Sequence, residues 1–198
     1  QSCQPIGKLL IQGAINPLGV DMIAAFNAVN RVDDYAFTPE QSISHGITTF
    51  VAQNRGAKKT GRIQKGFACG LLLEACYWVF IFTVITLVRE PVMRLFVTEG
   101  NDAIVALGSN YLALMAFFYL FPAFTNGIQG FFRGMGNMSI TLLGTFTQTS
   151  IRVIFVYLLT PRMGMQGAAW ACAVGWSMML LLEVPYYVWF MRKRNGEA

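Results

Sequence analysis

Long apolar segments separated by short polar turns dominate this sequence and restrict the folds open to it. A membrane-spanning helix needs about 20 predominantly apolar residues, and several segments reach that length. Only 13% of the 198 residues are charged and 55% are hydrophobic, whereas roughly a quarter of the residues of a soluble domain are charged. The sequence therefore predicts an all-α polytopic membrane protein, with a single membrane domain over residues 1–198.

Polar turns divide the chain into six predicted helices, which we expect to form a bundle of six transmembrane helices. The first helix ends at the turn 16–19, and the second runs from about Val20 to Asn54 with Pro39 inside it. The other four are predicted at about 64–88, 103–132 with a kink near Pro122, 138–159 and 165–191, with a short amphipathic piece at 92–97. The first apolar stretch, residues 6–18, is shorter than a membrane span, so we expect the first helix to be truncated at its N-terminus.

Basic residues are concentrated in the loops of one side of the predicted bundle. Nine lie there: Arg55, Lys58, Lys59, Arg62, Lys65, Arg133, Arg192, Lys193 and Arg194. The loops of the other side hold three: Arg89, Arg94 and Arg162. The positive-inside rule therefore predicts a multi-pass protein with its C-terminus in the cytoplasm and residues 192–198 as a cytoplasmic basic tail. No basic face interleaved with aromatic residues is present, so no nucleic-acid partner is predicted.

The second helix carries charged residues within an otherwise apolar span. Arg31, Asp33, Asp34 and Glu40 lie there, and ionisable residues inside a membrane commonly mark ion or substrate pathways. One interpretation is a proton or cation site; the other is a structural ion pair of Arg31 with Asp33 or Asp34. Lys8 is expected at a similar depth in the first helix, and we hypothesise that it neutralises one of these acids in one conformation.

Polar residues also lie inside the later helices. Asn126 and Gln129 follow the proline kink of the fourth helix, where freed carbonyl groups can line a cavity. They are candidates for contact with a substrate, although hydrogen bonding between helices is an equally open role. Arg152 is a cation that needs a partner. Glu74 is expected to lie deep and to be paired or protonated, whereas Glu183 is expected near the cytoplasmic end, facing water.

Motifs for catalysis and cofactor binding are absent from the sequence. His45 is the sole histidine and the four cysteines form no C-x-x-C, so no metal site is predicted. The sequence also contains no P-loop, H-E-x-x-H, nucleophile-elbow or dinucleotide fingerprint. We therefore predict a protein that is not an enzyme and has no cofactor.

Several ordered motifs resemble those of the multidrug and toxic compound extrusion (MATE) transporters. They are I-N-P-L-G at 15–19, N-R-V-D at 30–33 before a mid-helix proline, T-F-V-A-Q-N-x-G-A-K at 49–58, G-F-F-R-G-M-G-N at 130–137, S-I-R-V-I-F-V at 150–156 and T-P-R-M-G-M-Q-G at 160–167. The resemblance implies one six-helix lobe, the C-terminal one, of a twelve-helix transporter. The lipid bilayer, an N-terminal six-helix lobe and a small cationic substrate would be its partners.

The resemblance also implies a function. MATE transporters export cationic and lipophilic drugs or toxic compounds in exchange for H⁺ or Na⁺ by alternating access. Some members have acidic cation-site residues on the seventh and tenth helices, but the predicted helix 103–132 contains no carboxylate. The acids of the second helix, Asp33, Asp34 and Glu40, are the available alternatives. The further candidates for ion coupling or substrate binding are Lys8, Arg31, Asn126 and Gln129.

Two other functions remain open from the sequence. A lipid-linked saccharide flippase of the same superfamily would need a strongly cationic central cavity, which Lys8, Arg31 and Arg152 could provide. A membrane scaffold or enzyme subunit that does not transport would need neither a polar cavity nor a partner lobe.

Overall fold

The computed structural model describes residues 3–96 and 102–196 of the chain, and these are almost entirely helical. A 3₁₀ turn at Asn16–Leu18 follows the first helix. The helices are α1 (Cys3–Ile15), α2 (Val20–Gly56), α3 (Thr60–Phe96), α4 (Asp102–Phe118), α5 (Leu120–Gly134), α6 (Met138–Met163) and α7 (Met165–Gly196). The predicted all-α architecture is confirmed, with α4 and α5 together forming the predicted fourth helix.

Gly19 and Gly164 form sharp turns between helices. Gly19 separates the 3₁₀ turn from α2 and has a φ of 103°, and Gly164, the one residue between α6 and α7, has a φ of 60°. Side chains with a Cβ atom rarely adopt these values, whereas glycine does so at little cost. Gly164 thereby lets α7 fold back directly along α6.

The predicted kink near Pro122 lies at the junction of α4 and α5. The two helices meet at Tyr119 with a bend of 41°. Pro122 has no backbone N–H, so it leaves the carbonyl group of Phe118, one turn earlier, without its usual donor. This bend sets the direction in which α5 carries its polar residues into the bundle.

Three predicted helix ends are wrong, and at two of them the helix continues through a proline. The predicted break around Pro91 does not occur, since α3 runs on to Phe96; residue 97 lies outside the described residues. Likewise α6 continues through Pro161, and α7 continues to Gly196, so residues 192–196 of the predicted tail are helical. A proline removes one hydrogen bond but has a φ that suits a helix, and neighbouring helices can compensate for that loss.

Among the residues that the structure describes, three helices are long and apolar enough to cross a membrane. These are α3, α6 and α7, and the bent pair α4–α5 qualifies as a fourth span. Their exposed side chains include large apolar ones: Leu72, Phe80 and Leu87 on α3, and Leu142, Phe146 and Leu158 on α6. Such faces suit contact with lipid. In contrast, α2 has the same length of 37 residues as α3, but its charged side chains lower its hydropathy.

Glycines let α5 approach α2 closely, as their four-residue spacing predicts. A Cβ atom on Gly130 would lie 2.6 Å from the carbonyl oxygen of Ser44, and one on Gly134 would lie 2.7 Å from that of Thr48. In α7, Gly175 is packed in the same way against α6, where a Cβ would lie 2.9 Å from the Gln148 carbonyl oxygen. These two contacts bring the polar residues of α2, α5, α6 and α7 together.

The interior has two apolar clusters with a polar layer between them. The first cluster includes Val29, Leu112 and Ala169, and the second includes Val51, Phe131 and Phe132. Buried polar side chains lie between the clusters along the helices: Glu40, Ser44, Glu74, Thr125, Gln129, Gln148 and Glu183. Because burying polar groups is costly without partners, this layer is the part of the interior that packing alone does not explain.

The basic ends of three helices converge. An Arg55 Nη1–H group at the end of α2 donates to the Met135 carbonyl oxygen, and Arg194 Nη1 of α7 lies 3.3 Å from the Met135 sulfur. The turns after α2 and α5 and the end of α7 therefore lie at one end of the bundle. This arrangement agrees with the grouping on which the predicted orientation rests.

Candidate functional site: a polar cavity inside the bundle

A polar cavity of about 360 Å³ opens between α1, α2, α5, α6 and α7. Its polar lining consists of Lys8, Asp34, Thr38, Gln41, Thr125, Asn126, Gln129, Thr145, Gln148, Thr149 and Arg152. This cavity is therefore lined by four of the seven residues predicted for ion coupling or substrate binding: Lys8, Asp34, Asn126 and Gln129. They converge because the α4–α5 bend directs α5 toward α6, and glycine packing holds α5 against α2.

A smaller cavity of about 50 Å³ adjoins Asp33. It shares Lys8, Asp34 and Arg152 with the larger cavity. Asp33 is only 8% exposed and accepts a hydrogen bond from the Tyr119 hydroxyl group. A buried carboxylate at a cavity wall, held by one hydroxyl donor, is suited to binding and releasing a small cation.

Lys8 forms the contact expected of it with an acid of α2. Its Nζ lies 2.9 Å from Asp34 Oδ1, and both side chains are largely exposed, at 55% and 67%. This ion pair joins α1 to α2 beside the cavity. Because both partners are reachable by water, the pair can open without burying an unpaired charge.

The alternative ion pair of Arg31 with Asp33 or Asp34 is wrong. Arg31 is exposed, lines neither cavity and forms no ion pair within residues 3–96 and 102–196. Asp33 points inward and accepts a hydrogen bond from Tyr119, whereas Asp34 forms an ion pair with Lys8. The spacing of Arg31 and Asp34 lets them share a helix face, but only Asp34 borders the cavities.

Arg152 is the second cation of the site. It lines both cavities, and in the small cavity it lies near Asp33 without reaching ion-pair distance. Its Nε–H has no hydrogen-bond partner in the part of the chain that the structure describes. The partner expected for Arg152 is thus Asp33 across the small cavity, rather than a carboxylate in direct contact.

Asn126 and Gln129 each connect the large cavity to a buried glutamate. Asn126 Nδ2 lies 3.5 Å from Glu40 Oε2, and Gln129 Nε2 donates to Glu183 Oε1 at 3.2 Å. The expectation that Glu183 faces water is wrong, because its side chain is 0% exposed. It lies more than two helical turns before the basic end of α7, which places it inside the bundle.

The exposed face of α2 is polar along most of its length. It presents Arg31, Asp34, Thr38, Gln41, Ser42, His45 and Thr49. Polar side chains at this depth do not suit contact with lipid, and the exposed faces of α3 and α6 show the apolar character that does. This face of α2 therefore points toward water or toward further protein.

Within the described residues, no group of three or more His, Cys, Asp or Glu side chains is arranged to hold a metal ion. The site instead offers isolated or paired carboxylates with hydroxyl and amide donors. Such groups can exchange protons or hold a monovalent cation.

Comparison with known proteins decides the family. The family model described as MatE matches residues 1–158, which include α1 to α5 and most of α6. The chain belongs to the MatE family. The chain is also 25% identical over 182 residues to the Probable multidrug resistance protein YpnP of Bacillus subtilis (strain 168), covering 91% of this chain and 40% of that protein.

Solved structures of transporters share the fold of this chain. The chain resembles an inward-facing multidrug resistance MATE family transporter of the MOP superfamily at a TM-score of 0.86 and 18% identity, covering 92% of this chain and 42% of the other. An outward-facing structure under the same description gives a TM-score of 0.85 at 18% identity, covering 98% and 42%. The chain thus spans about 40% of the length of the relatives it matches, and its fold corresponds to one six-helix lobe of a MATE-type transporter.

The site of this MatE lobe differs from the one implied for some family members. No Asp or Glu lies between Ala103 and Phe132, so α5 and nearly all of α4 provide no acid. Asp33 of α2 instead reaches the α4–α5 junction by accepting the Tyr119 hydrogen bond. The α4–α5 junction is therefore in contact with a carboxylate, although that carboxylate belongs to α2.

Sequence reasoning missed Tyr119 as a functional residue. Its position one turn before Pro122 is a usable signal, because a hydroxyl-bearing aromatic residue next to a helix bend is well placed to reach a neighbouring helix. It also counted Arg133 as a loop residue, whereas Arg133 Nη2 donates to Ser44 Oγ at 2.7 Å, and Ser44 Oγ donates to the Asn126 carbonyl group. Only the three-dimensional arrangement shows that this end of α5 forms hydrogen bonds to α2 inside the bundle.

Proposed function

We propose that this chain is the C-terminal lobe of a secondary antiporter. The complete transporter would export cationic and lipophilic drugs or toxic compounds in exchange for H⁺ or Na⁺. An N-terminal six-helix lobe would complete it, and the bilayer would surround both lobes. The basic end of the bundle and the C-terminus would lie in the cytoplasm, with the protein in the plasma membrane.

The observation that carries this proposal is the contrast between the faces of the bundle. The exposed face of α2 is polar and borders a cavity that contains Asp34, while the exposed faces of α3 and α6 are apolar. A lobe with one polar face inside the membrane needs water or a second lobe against that face. Two such lobes facing each other would enclose a transport pathway.

Alternating access fits the shape of the lobe. Its fold matches an inward-facing and an outward-facing transporter equally well, at TM-scores of 0.86 and 0.85. We infer that the lobe moves as a unit against its partner while its internal packing is largely kept. The close glycine contacts between α5 and α2 support such rigidity.

Ion coupling would take place at Asp33. Binding of a proton or cation there would weaken the attraction between Asp33 and Arg152, and so change which arrangement of α1, α2 and α6 is favoured. A ligand can shift such an equilibrium only by binding one state better than the other. Asp33 would meet this condition if movement of the helices around the small cavity, α1, α2, α4, α6 and α7, changed its contacts.

The flippase alternative finds less support. Its cationic cavity would need Lys8, Arg31 and Arg152 together, yet Arg31 lies outside both cavities. Lys8 is neutralised by Asp34 at 2.9 Å, and Arg152 faces Asp33. The polar face and cavity likewise favour transport over a scaffold or enzyme-subunit role.

Cysteine labelling tests the proposal. In the complete transporter, with every native cysteine replaced by alanine, a Thr38→Cys variant should react with a membrane-impermeant maleimide, and a cationic substrate should slow the reaction. The matched control is Leu72→Cys, whose native side chain is 64% exposed on the apolar face of α3 and which should remain unlabelled. Equal labelling of both variants, without protection by substrate, would contradict the proposed pathway.

A further inference from the structure

Two glutamates of the buried polar layer lack the partners that buried acids normally have. Glu40 of α2 and Glu74 of α3 are both 0% exposed. Glu40 Oε1 and both carboxylate oxygens of Glu74 have no hydrogen-bond partner in the described part of the chain. Most buried polar atoms in proteins are hydrogen-bonded, so three such oxygens in one place need a physical explanation.

Neighbouring contacts place the two side chains opposite each other. The Tyr77 hydroxyl donates to the Ala36 carbonyl oxygen at 2.9 Å, one turn from each glutamate. On the other side, a Cβ atom on Gly70 would lie 2.5 Å from Ile47 Cγ1. Since α2 and α3 are antiparallel, these contacts fix a register in which Glu40 and Glu74 lie at the same level on the facing helices.

The α5 helix closes this pair on a third side. Asn126 Nδ2 lies 3.5 Å from Glu40 Oε2, and a Cβ atom on the next residue, Gly127, would lie 3.7 Å from Glu74 Cγ. Asn126 also lines the large cavity. One side chain therefore separates the pair from the proposed transport pathway.

The other charged and titratable groups near the pair do not neutralise it. The Tyr77 hydroxyl of α3 donates to the Ala36 carbonyl oxygen, and the Tyr119 hydroxyl at the α4–α5 junction donates to Asp33. No cationic side chain among the described residues lies within 4.0 Å of either carboxylate. Two ionised carboxylates held together in such a site would be strongly disfavoured.

The groups present suit a proton better than a metal ion. The nearest amide group presents its N–H side to Glu40, and a metal ion would require acceptor oxygens there. Hard metal ions take about six oxygen ligands, and the described residues offer no cluster of three acids. Two carboxyl groups that share one proton satisfy each other, because the protonated group donates its O–H to the ionised one.

We propose that Glu40 and Glu74 form a proton-binding pair, distinct from Asp33, that exchanges its proton with the large cavity past Asn126. Binding takes one H⁺ from cavity water and forms one O–H bond, and release breaks that bond. The pair gives the lobe a proton store next to the pathway, and so favours H⁺ as the coupling ion. Its role in transport rests on the proposed antiporter function, whereas proton binding itself does not.

Infrared spectroscopy of the purified complete transporter in lipid nanodiscs tests the pair directly. At neutral pH the wild-type protein should show a C=O stretching band of protonated carboxyl groups, and a Glu40→Gln, Glu74→Gln double variant should lose part of that band. The rest of the band would come from other buried acids such as Glu183. Glutamine keeps the size and hydrogen-bonding capacity of a protonated glutamate, so the fold should survive. The control is Glu90→Gln on the same helix α3, where the side chain is exposed and the band should not change.

The outcomes separate this proposal from the proposed function. An identical band in the wild type and the folded double variant overturns the pair. If the double variant aggregates, the two single variants replace it, and an unchanged band in both also overturns the pair. A band that disappears in NaCl but not in KCl assigns the site to Na⁺ and overturns the proton assignment. If the band behaves as expected but the complete transporter does not export drugs, the result supports the pair and contradicts the antiporter proposal.

Discussion

The Lys8 ammonium group lies 2.9 Å from Asp34 Oδ1 and links α1 to α2 at the cavity. Both side chains are largely exposed, and an exposed ion pair contributes only about 0–1 kcal/mol to stability. Replacing Lys8 by Met should therefore change the melting temperature little. It should alter the pH profile of transport by the complete protein, because Asp34 loses its neutralising partner in the conformation seen here.

A Lys8→Arg variant is the control for this experiment. It keeps the positive charge and should keep the wild-type pH profile. Normal transport by Lys8→Met with an unchanged pH profile would show that the ion pair has no part in coupling.

Tyr119 is predicted to stabilise the buried acid of the site. A Tyr119→Phe variant removes the hydroxyl donor of Asp33, and leaving a buried acceptor unsatisfied costs about 1–3 kcal/mol. Thermal unfolding in detergent should show this loss. Tyr35→Phe, on the same helix as Asp33 and at a side chain that is 75% exposed, should have no comparable effect. Equal stability of the two variants would show that Tyr119 does not support Asp33.

The glycine contact between α5 and α2 predicts a pair of opposite effects. A Cβ atom on Gly130 would lie 2.6 Å from the Ser44 carbonyl oxygen, so Gly130→Ala should separate the helices and destabilise the bundle by about 1–3 kcal/mol. A Cβ atom on Gly46 of α2 meets nothing within 4 Å. Gly46→Ala should be neutral or stabilise by about 0.4–1 kcal/mol, through lower entropy of the unfolded chain. Stability of Gly130→Ala equal to that of Gly46→Ala would contradict the close packing.

The bend at the α4–α5 junction should depend on Pro122. Alanine at this position restores a backbone N–H for the Phe118 carbonyl group, so the 41° bend should decrease and carry Asn126 and Gln129 away from the cavity. Distances between spin labels at the ends of α4 and α5 would measure this change. Pro185→Ala in α7 is the control and should leave these distances unaltered. An unchanged distance in Pro122→Ala would show that packing, rather than proline, fixes the bend.

Local features of the sequence were sufficient to predict much of the fold. Apolar length and turn residues located the helices, and the spacing of Gly130 and Gly134 correctly predicted a close helix contact. The depth of Lys8 relative to the turn at 16–19 placed it near the acids of α2. These properties depend on residues near one another in the chain or on simple helix geometry.

Other features depended on which way a helix is rotated in the bundle. Arg31 and Asp33 are two residues apart, yet one is exposed and the other buried, and the sequence alone could not say which. Glu183 was expected in water because the chain end is close in sequence, but α7 extends to Gly196 and keeps this residue inside. The same limit hid the Tyr119 contact with Asp33, since it joins residues 86 positions apart.

Drug efflux by an Asp33→Asn variant tests the central claim most directly. In vesicles that contain the complete transporter, efflux of a cationic dye would be measured under an imposed H⁺ gradient and, separately, under an imposed Na⁺ gradient. We expect the wild type to respond to one of these gradients, and we expect Asp33→Asn to fold normally but to lose that response. Efflux by Asp33→Asn at the wild-type rate, driven by the same gradient, would contradict the role of Asp33 in coupling.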